Sequence, residues 1–131
     1  MAGSYDAMKI AKATPTRPWH YVATIQNAAA ATGNGTILDT FGSNGVLLQI
    51  VGTFVGTVTF NGTVDGTNYV AIRGINKNSG AVANNATAAG LWFIPLDGEI
   101  KFKAEITAYT SGSITVVANL MSCVSGIALV S

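Results

Sequence analysis

Apolar and polar residues alternate with period two along most of this chain. In residues 57–64, Val58, Phe60 and Val64 alternate with Thr57, Thr59, Asn61 and Thr63, and Gly62 leaves a gap on the apolar side. Such a pattern predicts a half-buried strand. Asp65-Gly66-Thr67-Asn68 follows. Asp-Gly is a hairpin signal because glycine accepts positive φ without a side-chain clash, so residues 69–73 are expected to return as the partner strand. Residues 100–108 alternate as cleanly: Ile100, Phe102, Ala104, Ile106 and Ala108 are expected inside, Lys101, Lys103, Glu105 and Thr107 outside. Residues 46–51 form an apolar run broken only by Gln49, which predicts a central strand covered on both faces. Residues 36–40, 91–96 and 114–120 read as further strands, with turns at 41–45, 52–56, 97–98 and 109–113. Residues 76–90, NKNSGAVANNATAAG, follow neither period and read as a long loop. The spacing predicts an all-β domain over residues 36–131: a single antiparallel β-sandwich, jelly-roll-like, of seven to eight strands.

Residues 1–35 depart from this pattern and read as an extended N-terminal arm. Lys9, Lys12 and Arg17 lie here, opposed only by Asp6. Pro15 and Pro18 disfavour regular structure, and Trp19, His20 and Tyr21 form an aromatic cluster. One short strand is expected at 21–26 and a helical turn at 28–31, stopped by Thr32-Gly33-Asn34-Gly35. An arm carrying Trp and Tyr with few charges suits docking on a neighbour, so Lys9, Lys12, Arg17, Trp19, His20 and Tyr21 are the expected partner-binding residues.

Composition shifts attention from chemistry to association. Only 10% of the 131 residues are charged and 49% are hydrophobic, against about 25% charged in typical soluble domains. Low charge suits surfaces covered by copies or partners, so a homo-oligomer or larger assembly is expected. The formal net charge of +1 supplies no field for nucleic acid or an anionic membrane, and no apolar run of about 18 residues is present. Residues 1–15 lack the apolar core of a secretion signal, which points to assembly in a cytoplasm. The Asn-x-Thr sequences at Asn34, Asn61 and Asn85 then read as products of composition.

Candidate chemistry is sparse. Asp65 and Asp97 both precede glycine and are explained by turns. Asp97 and Glu99 flank one turn, but two carboxylates are too few to argue a cation site, and nothing in the spacing of the acids sets two across a cleft as a glycosidase requires. His20, the single histidine, sits in the arm rather than at the end of a core strand. Cys123, the single cysteine, excludes an intrachain disulfide and a multi-cysteine zinc site and reads as an inert thiol. No catalytic residue, metal or cofactor is expected, and the chain reads as a non-enzyme. A carbohydrate-binding module is an alternative, with Trp19, Tyr69, Trp92 or Tyr109 stacking on sugar faces.

Two stretches, GTFVGTVTFNGTVDGTNYVAI and TAAGLWFIPLDGEIKFKAEITAYTSGSITV, together resemble small β-sandwich structural modules of tailed-bacteriophage virion proteins. The likeness covers roughly residues 45–120 and leaves out the arm. It implies a virion location. The part that best suits a short domain with an adhesive arm is a capsid decoration (cement) protein on the major capsid protein or another virion protein. A homotrimer is expected because icosahedral lattices offer threefold sites. A tail or fibre component is the neighbouring alternative.

Overall fold

In the computed structural model, residues 19–122 are described, and the alternation seen in the sequence becomes two antiparallel sheets facing each other. The strands are β1 (Trp19–Ala29), β2 (Leu38–Asp39), β3 (Gly45–Val51), β4 (Phe54–Thr63), β5 (Val70–Ala71), β6 (Gly74–Asn76), β7 (Val82–Ala83), β8 (Asn85–Ala86), β9 (Gly90–Pro95), β10 (Lys101–Gly112) and β11 (Ile114–Ser122). Sheet I has the order β1-β11-β3-β9-β6-β7, and sheet II the order β2-β10-β4-β5 with β8 also on β4. The fold is the all-β antiparallel sandwich expected from the period, built among the described residues of eleven strands rather than seven to eight, because β6, β7 and β8 are strands of two or three residues, too short to show a period.

Both sheets turn their regular apolar positions inward. Ile114, Val116, Ala118 and Leu120 of β11 are fully buried, as are Val46 and Leu48 of β3 and Val58, Phe60, Phe102 and Ala104 opposite them. Phe60 of sheet II and Trp92 of sheet I meet across the core, ring centroids 5.3 Å apart and tilted by 55°, an arrangement aromatic quadrupoles favour. The hairpin at 65–68 forms as expected: β5 pairs with β4, and Gly66 takes φ +81.

Several expectations are corrected. The sandwich begins at Trp19 rather than residue 36, because β1 pairs along β11 from Trp19↔Ser122 to Ala29↔Ile114. Register shifts after Thr24 and after Gln26 break the alternation that would have betrayed a long strand. Ala28 takes φ +49 at the end of this strand instead of opening a helical turn. The segment 76–90 holds β7 and β8, two-residue strands too short to show a period. The expected turns at 52–56 and 109–113 lie largely within β4 and β10, which stay paired out to Gly112↔Phe54.

Val64, Ile100 and Ala108 are exposed, not inward. Val64 falls where the chain already leaves the sheet: the Thr63 hydroxyl accepts from the Asp65 and Gly66 N–H groups. Ile100 precedes β10, and Ala108 follows a register shift. Lys103 is 8% exposed although it points away from the core. Two loops cover it: its Nζ donates to Asn34 Oδ1 (2.9 Å) and lies 4.3 Å from the Tyr69 ring centre and 3.4 Å from Glu105 Oε1.

The open side of β10 is closed by a side chain of the other sheet. β2 pairs with Lys101 and Phe102, and Gly33 bridges Ile106, leaving a gap at Ala104. Gln26 of β1 fills it: Nε2 donates to the Ala104 carbonyl (2.9 Å) and the Gly33 carbonyl (3.2 Å).

Candidate functional site

The outer faces of the two sheets differ in character. On sheet II they carry Thr59, Asn61 and Thr63 from β4 and Lys101, Lys103, Glu105 and Thr107 from β10. These groups bond among themselves: Thr59 to Thr107 (2.9 Å) and Asn61 Nδ2 to Glu105 Oε1 (3.0 Å). That is the polar exterior expected of an antiparallel sheet with one solvated face.

Sheet I breaks this rule. Register carries one row of outward side chains across all six strands: Val22, Asn119, Leu47, Phe93, Ile75 and Val82. On one side of it run Thr24, Val117, Gln49 and Leu91, and on the other His20, Met121, Gly45 and Pro95. None of these positions holds Asp, Glu, Lys or Arg. Val22 is 54% exposed, Val82 55% and Ile75 40%. Gly45 belongs to the face because a Cβ there would lie 2.6 Å from the Phe93 ring; the ring covers the glycine and flattens the surface. Near the centre, the Asn119 side-chain oxygen is buried without a hydrogen-bond partner. One row of six positions and two rows of four, at about 4.8 Å between strands and about 6.8 Å between rows, give a face of roughly 450 Å², with Lys77, whose N–H donates to the Leu91 carbonyl, at its edge. A face of that size matches the largest apolar patch of a typical monomer, which is often functional.

The residues expected to bind partners are divided by the fold. Lys9, Lys12 and Arg17 lie outside the described residues, as does Cys123. Trp19 heads β1, and His20 and Tyr21 follow, both exposed. His20 joins the apolar face through its register with Met121. The central residues of the face were not singled out in the sequence. Leu47 sits in the 46–51 run that reads as covered on both faces, Phe93 beside Trp92 in a strand where one of the two aromatic residues enters the core, and the signal was the absence of charge at alternate positions of these strands.

The aromatic residues considered for sugar stacking do not assemble. Trp92 is in the core at 6% exposure, Tyr69 lies under Lys103, and the Tyr109 hydroxyl donates to the Gly112 carbonyl (2.7 Å).

Carboxylates lie at the two turn-bearing places read from the sequence. Asp65 caps its own turn, accepting from the backbone of Asn68 and Thr67 (2.8 Å each), the Asn68 amide and the Thr63 hydroxyl. Those donors, the Asn68 backbone N–H first, hold its carboxyl well below the usual carboxylate range. Asp39, Asp97 and Glu99 line a cleft of about 460 Å³ at one end of the sandwich. Among the described residues, no three His, Cys, Asp or Glu side chains are grouped to hold one metal ion.

No curated protein sequence matches the chain. Two solved structures share its fold. The SPBc2 prophage-derived protein YomS superposes with a TM-score of 0.76 at 19% identity, over 85% of this chain and 100% of that one. The PBSX exported protein XepA superposes with a TM-score of 0.77 at 20% identity, over 92% of this chain and 50% of that one, so the chain spans about half the length of XepA. The profile of the XepA family matches residues 21–119, from the exposed start of β1 to the Asn119 of the apolar face. The chain therefore belongs to the XepA family.

Proposed function

We propose that this protein is a non-enzymatic structural component of a phage particle that works by association. It docks the outer face of sheet I on another virion protein. The observation that carries this reading is the uncharged row from Val22 to Val82, with an orphaned amide oxygen at Asn119 that a partner's donor would satisfy. A buried acceptor left unpaired costs about 1–3 kcal/mol, so a partner that donates to it is selected over one that does not. The face falls short of the ~800 Å² per partner of a standard interface. Binding through several copies at once compensates, which fits a homotrimeric capsid decoration protein seated on the major capsid protein.

The test uses particles stripped of this protein. Wild type is expected to cosediment with them. Ile75→Lys and Val82→Lys, at exposed positions, are expected to keep the fold and weaken binding at least about tenfold, or 1.4 kcal/mol. Equal retention of wild type and both variants refutes the docking face. A second reading rests on the likeness to XepA, an exported protein: a module that acts outside the producing cell. Recovery of the protein in the medium free of particles favours that reading.

A further inference from the structure

The chain enters and leaves the described sandwich at one end, since Trp19 pairs with Ser122. The loop between β2 and β3 lies beside them: the Asn44 N–H donates to the Met121 carbonyl, and the Leu96 N–H to the Asn44 carbonyl, both 2.9 Å. Between this loop and the turn after β9 opens the 460 Å³ cleft, whose walls include Asp39, Phe41, Ser43, Asp97 and Glu99. Of the five carboxylate side chains in residues 19–122, three are here. Among the described residues none of the three has a cationic partner, the one ion pair being Lys103–Glu105. Asp39 accepts from the Phe41 N–H and Glu99 from the Asp97 N–H. The Asp97 carboxylate takes no hydrogen bond from a described residue.

Two further groups give the cleft more than charge. Phe41 is 65% exposed, an aromatic ring held at the surface by a residue with φ +51. Ser43 is 5% exposed, and its hydroxyl is buried without a hydrogen-bond partner. A buried, unpaired hydroxyl in the wall of an acidic, aromatic cleft is what a peptide segment bearing cations would complete.

The same chain supplies such a segment. Residues 1–18 carry Lys9, Lys12 and Arg17 against Asp6, a net of 3 − 1 = +2. Residues 19–122 carry Arg73, Lys77, Lys101 and Lys103 against five acids, a net of 4 − 5 = −1. Extended chain at about 3.3 Å per residue lets Lys12 and Lys9 reach roughly 23 and 33 Å from Trp19. From β1 to β3, whose leading loop forms one wall, is two strand spacings, about 10 Å.

We propose that residues 1–18 dock in the acidic cleft of their own chain. Lys9 and Lys12 pair with Asp97, Asp39 and Glu99, one ammonium lies against the Phe41 ring, and the Ser43 hydroxyl bonds the segment's backbone. The tether holds the segment at an effective concentration on the order of millimolar, which favours its own cleft over a neighbour's. This docking is independent of the role given to sheet I.

The test is zero-length crosslinking of the full-length protein with a carbodiimide, which joins only a carboxylate and an amine in contact. It is done on an equal mixture of ¹⁴N- and ¹⁵N-labelled protein and read by peptide mass spectrometry. Expected are links from Lys9 or Lys12 to Asp97, Asp39 or Glu99 within single-isotope species. Their yield should fall at least about fivefold in 1 M salt, where screening acts over about 3 Å. Asp97→Lys should abolish the link at that position, and the exchange Asp97→Lys with Lys12→Glu should restore one between the same two positions. Links of mixed isotope overturn the proposal in favour of a neighbouring copy. Arm lysines linked chiefly to Asp65 or Glu105, or linked to nothing, overturn it altogether.

Discussion

Replacing Gln26 by leucine tests whether one side chain closes the sandwich. Phe60 donates its N–H to the Asn84 carbonyl (3.0 Å) and accepts from the Ile72 N–H (2.8 Å), so both its backbone groups face away from β10. Its register partner Ala104 must therefore turn its own groups to the opposite side. There the Ala104 carbonyl meets Gln26 Nε2 at 2.9 Å in a buried setting. The Gly33 carbonyl loses less, because it keeps the Ile106 N–H at 2.9 Å. Orphaning the Ala104 carbonyl costs about 1–3 kcal/mol and losing the second bond about 0.5–1 kcal/mol. Leucine keeps the volume, so the expected loss is about 2–3 kcal/mol, measured by urea denaturation with an unchanged slope. Gln26→Glu discriminates further. Its carboxylate would face two carbonyl oxygens, which raises the folded-state pKa above the unfolded one. That variant should be least stable at neutral pH and recover stability as pH falls toward 4. A loss under about 0.5 kcal/mol for Gln26→Leu, with a pH-independent Gln26→Glu, would refute the closure.

Phe60→Ala and Phe102→Ala, both at 0% exposure, should each cost about 3–5 kcal/mol in equilibrium denaturation. Asp65 should titrate below the ordinary carboxylate range in NMR, since its folded pKa is lowered. Its contribution to stability is present above the ordinary carboxylate range and lost as pH falls through the folded value, so Asp65→Asn should flatten the acid limb of the stability curve. Gly45→Ala should displace the Phe93 ring, which lies 2.6 Å from the new Cβ, and weaken particle binding more than it weakens the fold. Sedimentation of the isolated protein at micromolar concentration should show a trimer, and a 13.4 kDa species alone would argue against a stable free one.

The sandwich was legible wherever burial follows a period. β4, the first half of β10 and the Asp65-Gly66 hairpin stand close to where alternation and turn chemistry placed them, because a strand with one buried face must repeat every two residues; β3 stands where its apolar run placed it but is covered on one face only, with Gln49 and Val51 exposed. β1 was not legible as a long strand. Its bulges shift the period, and its inward Gln26 earns its place through a carbonyl 78 residues away. Lys103 read as a solvated cation and is buried, because only folding brings Asn34 and Tyr69 over it. The candidate site shows the same division. Low charge raised the expectation that some surface is covered, but not which one. That depended on register: pairing sets Val22, Leu47, Phe93, Ile75 and Val82 side by side from five separate strands. Local sequence shows only that alternate positions of these strands lack charge, not that they adjoin. Their neighbours are set by long-range hydrogen bonding, whereas a period needs only the chain's own next residue but one.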